Sequence, residues 1–378
     1  MSQRAYLDFA SSAPLRPAVL EAMLPYLREH HADPGRLHAE GRATRVAVET
    51  AREQVAALLG ARPREVVFTS GGTEAVNAAV WGAMRRTDGS ARHLVTTAVE
   101  HSCVLDASER EGAEVTIVGV DSIGRCDPSE VTAAMRADTV LVSVQLANHE
   151  VGTVQPAGEV AAVARDHGAL VHVDACAAIG QVPVDFAMLG ADLLSVTAHK
   201  WGGPKGVGAL LVRRGLRIPP LLVGGAQERA RRAGLENVPA IVGFGAAAVE
   251  LADGGLEREA LAARTRTDRL VAETMASVPG VFRLGDAEKR LPHLVCLGVD
   301  GVEAEPILLG LDQAGVAVHS GSSCSSEALE PSPVLAAMGA DADRSLRVSV
   351  GWSTVDADID AFLDAFPTVV ARMRSLRS

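Results

Sequence analysis

The 378-residue sequence predicts an α/β fold, a mostly parallel sheet covered by helices, joined to a smaller α+β unit. Two observations carry this expectation. From about residue 15 to 250, short apolar runs alternate with stretches of helical periodicity. After about Gly254 the alternation stops, and a long helical stretch, Leu256 to Val278, precedes Pro279-Gly280 and two strand-like runs. On this reading the chain divides into a large unit over residues 15–254 and a small unit formed by residues 1–14 and 255–378.

The expected strands of the large unit are Val66-Val67-Phe68, Leu94-Val95-Thr96, Val140-Leu141-Val142, Leu170 to Val173, Leu193 to Val196 and Val207 to Val212. Pro17 suits a first helical turn, and Leu20, Met23, Leu24 and Leu27 mark an apolar face behind it. Ala157 to His167 reads as a further helix, closed by Gly168. In the small unit, Val281 to Leu284, Leu294 to Val299 and Leu346 to Val350 read as strands, and Ala304 to Gln313 as a helix. A Ser/Gly-rich loop, Ser320 to Ser326, precedes the last strand, and a final helix closes the chain.

Composition narrows the function classes. With 36 Lys plus Arg against 47 Asp plus Glu, the formal charge is −11, which argues against a nucleic-acid backbone as main partner. No apolar run approaches the roughly 18 residues of a membrane span, and MSQRAYLDFASSAP lacks the layout of a signal peptide. A cytoplasmic protein with no membrane partner is the expectation. The five cysteines (Cys103, Cys126, Cys176, Cys296 and Cys324) are odd in number, scattered and without C-x-x-C pairing, so neither a disulfide framework nor a metal site is expected.

Three stretches carry chemistry. Ser70-Gly71-Gly72-Thr73-Glu74 follows a strand and opens a helix, where free backbone N–H groups meet an anion; an ordinary strand-to-helix turn looks the same. His172-Val173-Asp174 ends one apolar strand with a carboxylate, and Thr197-Ala198-His199-Lys200 ends the next with an amine. Ligands of open α/β sheets gather at such strand ends. A lysine there can form a Schiff base with an aldehyde cofactor, and an aspartate can keep a pyridine nitrogen protonated. Either residue alone equally suits a helix cap or a solvated charge; the pairing, backed by Gly202-Gly203-Pro204-Lys205-Gly206, favours the cofactor. Cys324 sits among small polar residues in Ser322 to Ser326, an uncommon setting for a packing cysteine, whereas the other four have ordinary neighbours. Arg347 lies between Leu346 and Val348 on a strand, and its guanidinium suits either a carboxylate ligand or a buried salt bridge.

With these residues in view, the chain resembles the class V aminotransferase superfamily, and within it the cysteine desulfurases. The similarity runs nearly end to end, through Tyr6-Leu7-Asp8, TSGGTE, VEHSCVLD, HVDACAAIGQ, AHKWGGPKGVGALLVRR, SGSSCSS and SLRVSVG. It implies the type I fold of pyridoxal-phosphate enzymes, with a mostly parallel seven-stranded sheet, and a homodimer. It further implies Lys200 as the Schiff-base lysine, Asp174 at the pyridinium nitrogen, and His101 stacked on the ring. Gly72, Thr73, Thr197 and His199 fall at the phosphate, His149 near the ring, and Arg347 with Ser11 at the substrate carboxylate. The implied reaction converts L-cysteine to L-alanine: the Lys200 amine removes the α-proton, and Cys324 takes the sulfur as a persulfide for an acceptor protein.

The resemblance also has gaps. His149 and Ala177 stand where the family has Asn and Gln, Leu235 where a threonine reaches the partner subunit's phosphate, and Asp33 and Val223 where Asn and His are usual. A leucine cannot donate a hydrogen bond, so one phosphate contact is missing or comes from elsewhere. Alternatives are another pyridoxal-phosphate C–S lyase or a selenocysteine lyase on the same scaffold, the first of which has no need of Cys324. A non-enzymatic scaffold subunit is a further alternative, argued only by Ala177 and Leu235.

Overall fold

A computed structural model describes residues 4–86, 92–321 and 331–376. The expected apolar runs pair into a seven-stranded sheet in the order Val66–Thr69, Gly208–Val212, Leu193–Thr197, Leu170–Asp174, Thr139–Gln145, His93–Thr97, Glu114–Val118. Pairing is parallel from Leu193–Thr197 through to Glu114–Val118, while Gly208–Val212 runs antiparallel to both its neighbours. The parallel strands therefore end along one edge. Glu114–Val118 is absent from the strands expected from sequence. It is the edge strand, with Glu114 and Ile117 exposed, so it lacks the continuous apolar run that marks its buried neighbours.

Helices cover the sheet. Ala39–Leu58 and Val238–Glu250 cross closely: a Cβ on Gly245 would lie 2.7 Å from the Ala51 Cα, so glycine permits the approach. The apolar face expected on the first helix, Pro17–Arg28, packs only in part. Val19 is its buried residue, with Met23 and Tyr26 partly covered, whereas Leu20 and Leu27 point to solvent. Ala157–Asp166 ends before Gly168, whose φ of +74° suits a residue without a Cβ.

A second sheet has four antiparallel strands in the order His319–Ser320, Ser345–Ser349, Leu294–Val299, Val281–Leu284. The helices Gly255–Ser277, Ala304–Gln313 and Asp356–Ser375 pack against it around Leu270, Leu297, Leu346, Phe362 and Phe366. The N-terminal residues join this layer: Ala5–Tyr6 pairs in parallel with Val316–Ala317, and Asp8 bridges Ser349.

One buried polar element crosses the large sheet. His172 is fully enclosed, its Nδ1 2.8 Å from Ser143 Oγ and its Nε2 2.8 Å from Ser195 Oγ, on the two flanking strands. Burial pushes its pKa from 6.5 down to about 4. The unfolded chain thus binds the extra proton between those values, so this stabilisation is present above pH 6.5 and is lost as the pH falls toward 4. Buried Glu100 has the opposite slope, its pKa raised from 4.5 to about 8 by burial, so a difference between variants isolates His172. In urea unfolding, His172→Asn is expected to lose about 2 kcal/mol less than the parent between pH 7 and pH 4.5. Equal losses would contradict a neutral, doubly bonded imidazole.

Candidate active site

A cavity of about 330 Å3 opens at the carboxyl edge of the parallel strands. Every site residue expected from sequence that lies among the described residues lines it. Gly72 and Thr73 come from the start of the helix Gly72–Met84, His101 from the cap of the helix Ser102–Arg110, and His149 from the turn after Thr139–Gln145. Asp174 and Thr197 are the last residues of their strands, His199 and Lys200 follow, and Ser11 and Arg347 form the facing wall. Cys324 lies outside the described residues.

One end of the cavity suits an anion. The first turn of Gly72–Met84 has no side-chain cap and lines the cavity, so its backbone N–H groups and the helix dipole are open to an anion. The acid of that turn, Glu74, is engaged by Arg232 at 2.9 Å and by the Ser70 N–H. A Cβ on Gly72 would fall 2.5 Å from Cys176 Sγ, so any larger residue there would have to displace that thiol from the turn after Asp174. Beside it, Thr197 Oγ1 lies 2.8 Å from His199 Nδ1. Burial, helped by Lys200 and Lys205, pushes the His199 pKa down to about 4, so at neutral pH it is an uncharged hydrogen-bonding group.

The middle carries the reactive groups. Asp174 is nearly buried, and its Oδ1 accepts the Cys176 N–H at 2.9 Å. Lys200 sits on a turn locked by Trp201, whose buried indole N–H donates to the Thr197 carbonyl at 2.7 Å. His101 accepts the Cys103 N–H at Nδ1, and its ring centroid is 5.4 Å from that of His149. His149 Nε2 is in turn 3.5 Å from Glu150 Oε1.

Arg347, 2% exposed, occupies the strand between Leu294–Val299 and His319–Ser320. Its Nη1 donates to the His149 carbonyl at 3.0 Å, and its Nη2 to Asp8 Oδ1 at 2.9 Å and Ser11 Oγ at 2.6 Å. The two readings open for this arginine thus coexist: it lines the cavity and it is ion-paired. Asp8 is absent from the sequence-based candidates because nothing in Tyr6-Leu7-Asp8 says what it faces across some 340 residues of chain.

Sequence also passes over two cysteines. Cys103 and Cys176 both line the cavity, each two residues beyond a candidate, His101 and Asp174. Burial and the Asp174 charge hold the Cys176 thiol well above the usual range, and burial raises Cys126 and Cys296 to about 12. Such thiols stay protonated and are poor nucleophiles. Of the positions departing from the family pattern, Ala177 packs against the core, Asp33 pairs with Arg36 at 3.0 Å, and Val223 and Leu235 are exposed.

Comparison with known proteins agrees with this geometry. The family model for aminotransferase class V matches residues 5–362. The cysteine desulfurase IscS of Dictyoglomus turgidum is 41% identical over 100% of this chain and 97% of its own length. Among solved structures, a NifS-like protein superposes with a TM-score of 0.91 at 32% identity, covering 98% of this chain and all of that one. The structure described as SspA in complex with cysteine gives a TM-score of 0.82 at 31% identity, covering 93% of this chain and all of its own. A match over nearly the whole chain, to relatives of nearly the same length, means that this chain belongs to the class V aminotransferase family and, within it, to the cysteine desulfurases.

Proposed function

We propose that the protein is a pyridoxal-phosphate-dependent cysteine desulfurase that converts L-cysteine to L-alanine and passes the sulfur to an acceptor protein. The observation that carries this reading is the convergence of Asp174, Thr197, His199, Lys200 and Arg347 on one cavity, in a chain of this family. The residues present fit the cofactor. The uncapped helix start, Thr197 and neutral His199 would take the phosphate, Asp174 the ring nitrogen, His101 the ring face and Lys200 the aldehyde carbon; the His149 ring, 5.4 Å from that of His101, would lie near the cofactor ring. When bound, the cofactor supplies an electrophilic carbon for an amine and a ring that takes up electron density.

The chain's own groups do the rest. Lys200 is the amine that holds the cofactor between turnovers and moves the proton at the substrate's α-carbon. Arg347 receives the substrate carboxylate, which fixes that carbon relative to Lys200. The Cys324 thiolate attacks the substrate sulfur; the C–S bond breaks, its electron pair stays with the three-carbon fragment, and protonation releases L-alanine while the sulfur remains on Cys324. The reading includes a cytoplasmic homodimer, with residues 15–254 as the cofactor-binding unit and residues 1–14 and 255–378 as the small unit carrying Cys324. Exposed Leu20, Leu27, Val223 and Leu235 are apolar side chains that a second copy would cover.

Two substitutions test the assignment separately. Lys200→Ala is expected to abolish the covalent cofactor link, read by borohydride reduction and peptide mapping, and to reduce alanine formation by at least about 1,000-fold. Label on Lys205, or on no lysine of the parent, would overturn the role of Lys200. Cys324→Ser is expected to keep the cofactor's absorbance and its response to L-cysteine but to lose persulfide and alanine, because a hydroxyl is a far weaker nucleophile toward sulfur. Alanine and sulfide released at the parent rate would favour a C–S lyase that does not use Cys324.

A further inference from the structure

We infer that Asp8 is an affinity-tuning residue: its carboxylate partly offsets the Arg347 charge and thereby weakens the hold on the carboxylate of substrate and product alike. The inference rests on the reading of Arg347 as the carboxylate-binding group and adds a residue to that reading.

The geometry separates holding Arg347 in place from tuning its charge. Arg347 is fixed without Asp8. It lies on the strand Ser345–Ser349, paired on both sides, and its guanidinium is tied to the His149 carbonyl and to Ser11 Oγ. Asp8 adds a negative charge to this arrangement. A single oxygen, Oδ1, takes both the Arg347 Nη2 bond at 2.9 Å and the Ser11 hydroxyl at 2.9 Å, while Oδ2 has no partner among the described residues. Two of the chain's buried arginine pairs are built differently. Arg52 with Glu228 and Arg16 with Glu259 each use both carboxylate oxygens, at 2.7 Å apiece. Two-point pairing of that kind secures a fold; the one-point contact of Asp8 is a weaker and more easily strained tie.

Asp8 is also held where its charge counts. Leu7 donates to the Ala317 carbonyl, Phe9 to the Ser349 carbonyl and Ala10 to Ser349 Oγ, so the backbone on either side of Asp8 is bonded to the same layer that carries Arg347. The Asp8 side chain keeps 16% of its surface exposed, against 2% for Arg347, so it borders solvent at the rim where Ser11 lines the cavity. A substrate carboxylate on the guanidinium then lies within a few ångströms of a second carboxylate on the same cation. Like charges at that spacing repel, which lowers affinity for any amino acid whatever its side chain. Substrate and product share the carboxylate, so the offset acts on both: it raises KM and speeds the departure of alanine without adding to the chemical step.

Asp8→Asn tests this, because the amide keeps an oxygen for Ser11 and Arg347 and removes only the charge. In the cofactor-loaded enzyme, L-alanine binding measured by calorimetry is expected to tighten about tenfold, and KM for L-cysteine to fall by a similar factor with kcat unchanged or lower. Cysteamine, which is cysteine without its carboxylate, is expected to bind parent and variant equally. Weaker alanine binding in a folded variant would make Asp8 a support for Arg347 and overturn the inference, as would an equal change with cysteamine. Asp8→Glu, which restores the charge, should return alanine affinity toward the parent value; failure to do so while Asp8→Asn behaves as expected would assign the effect to shape and likewise overturn it. A parent protein that makes no alanine from L-cysteine defeats the desulfurase reading instead, and the alanine titration still decides the offset.

Discussion

Register in the central sheet is pinned by a buried imidazole, and the site depends on that register. His172 is opposite Ser143 on one neighbouring strand, and its ring also reaches Ser195 on the other. Between their ends the strands around it are mostly apolar, and where both faces are buried a one-residue slip exposes no apolar residue, so the hydrophobic pattern alone does little to fix the alignment. A slip of one residue would strand a buried imidazole and two hydroxyls without partners, each a loss of about 1–3 kcal/mol. His93 repeats the device nearer the edge, between Thr139 and Thr116. With His172 in place, Asp174 comes to the end of its strand opposite Gln145 and Ser195, and Thr197 ends the next strand two residues beyond Ser195. The carboxylate and the phosphate-side hydroxyl are thus placed by pairing within the sheet.

This explains which parts of the molecule were legible in the sequence. Strand ends are local features: a run of valines and leucines stopping at Asp174, or at Thr197-Ala198-His199-Lys200, shows both the strand and the residue it delivers. The buried strands and the helix Ala304–Gln313 were readable for the same reason. Elements whose burial depends on distant partners were not. The strand Glu114–Val118 has one covered neighbour and an exposed face, and the side of Pro17–Arg28 that packs is chosen by Val238–Glu250, more than 200 residues away. At the site, Cys176 and Cys103 looked like ordinary packing residues because their neighbours in sequence say nothing of the cavity. Asp8 stands in the motif Tyr6-Leu7-Asp8 with no role that sequence can assign, because its partner Arg347 lies at the other end of the chain.

The same long-range tie explains how the two halves of the site keep their spacing. Residues 7–16 form a strap with bonds on both sides. Leu7, Phe9 and Ala10 are bonded to Ala317 and Ser349, in the layer that carries Arg347. A few residues later Ala13 donates to the His199 carbonyl, and Arg16 to the Gly202 carbonyl and, through Nε, to the Trp201 carbonyl, on the turn that carries Lys200. Arg16 is further clamped by Glu259 through two bonds of 2.7 Å. The group assigned to the substrate carboxylate and the group assigned to the α-proton are therefore spaced by ten residues of bonded backbone, independently of the packing between the two sheets. Reaction rates fall steeply when reacting atoms are misplaced by even about 1 Å, so a short, doubly anchored strap is a direct way to keep that distance constant.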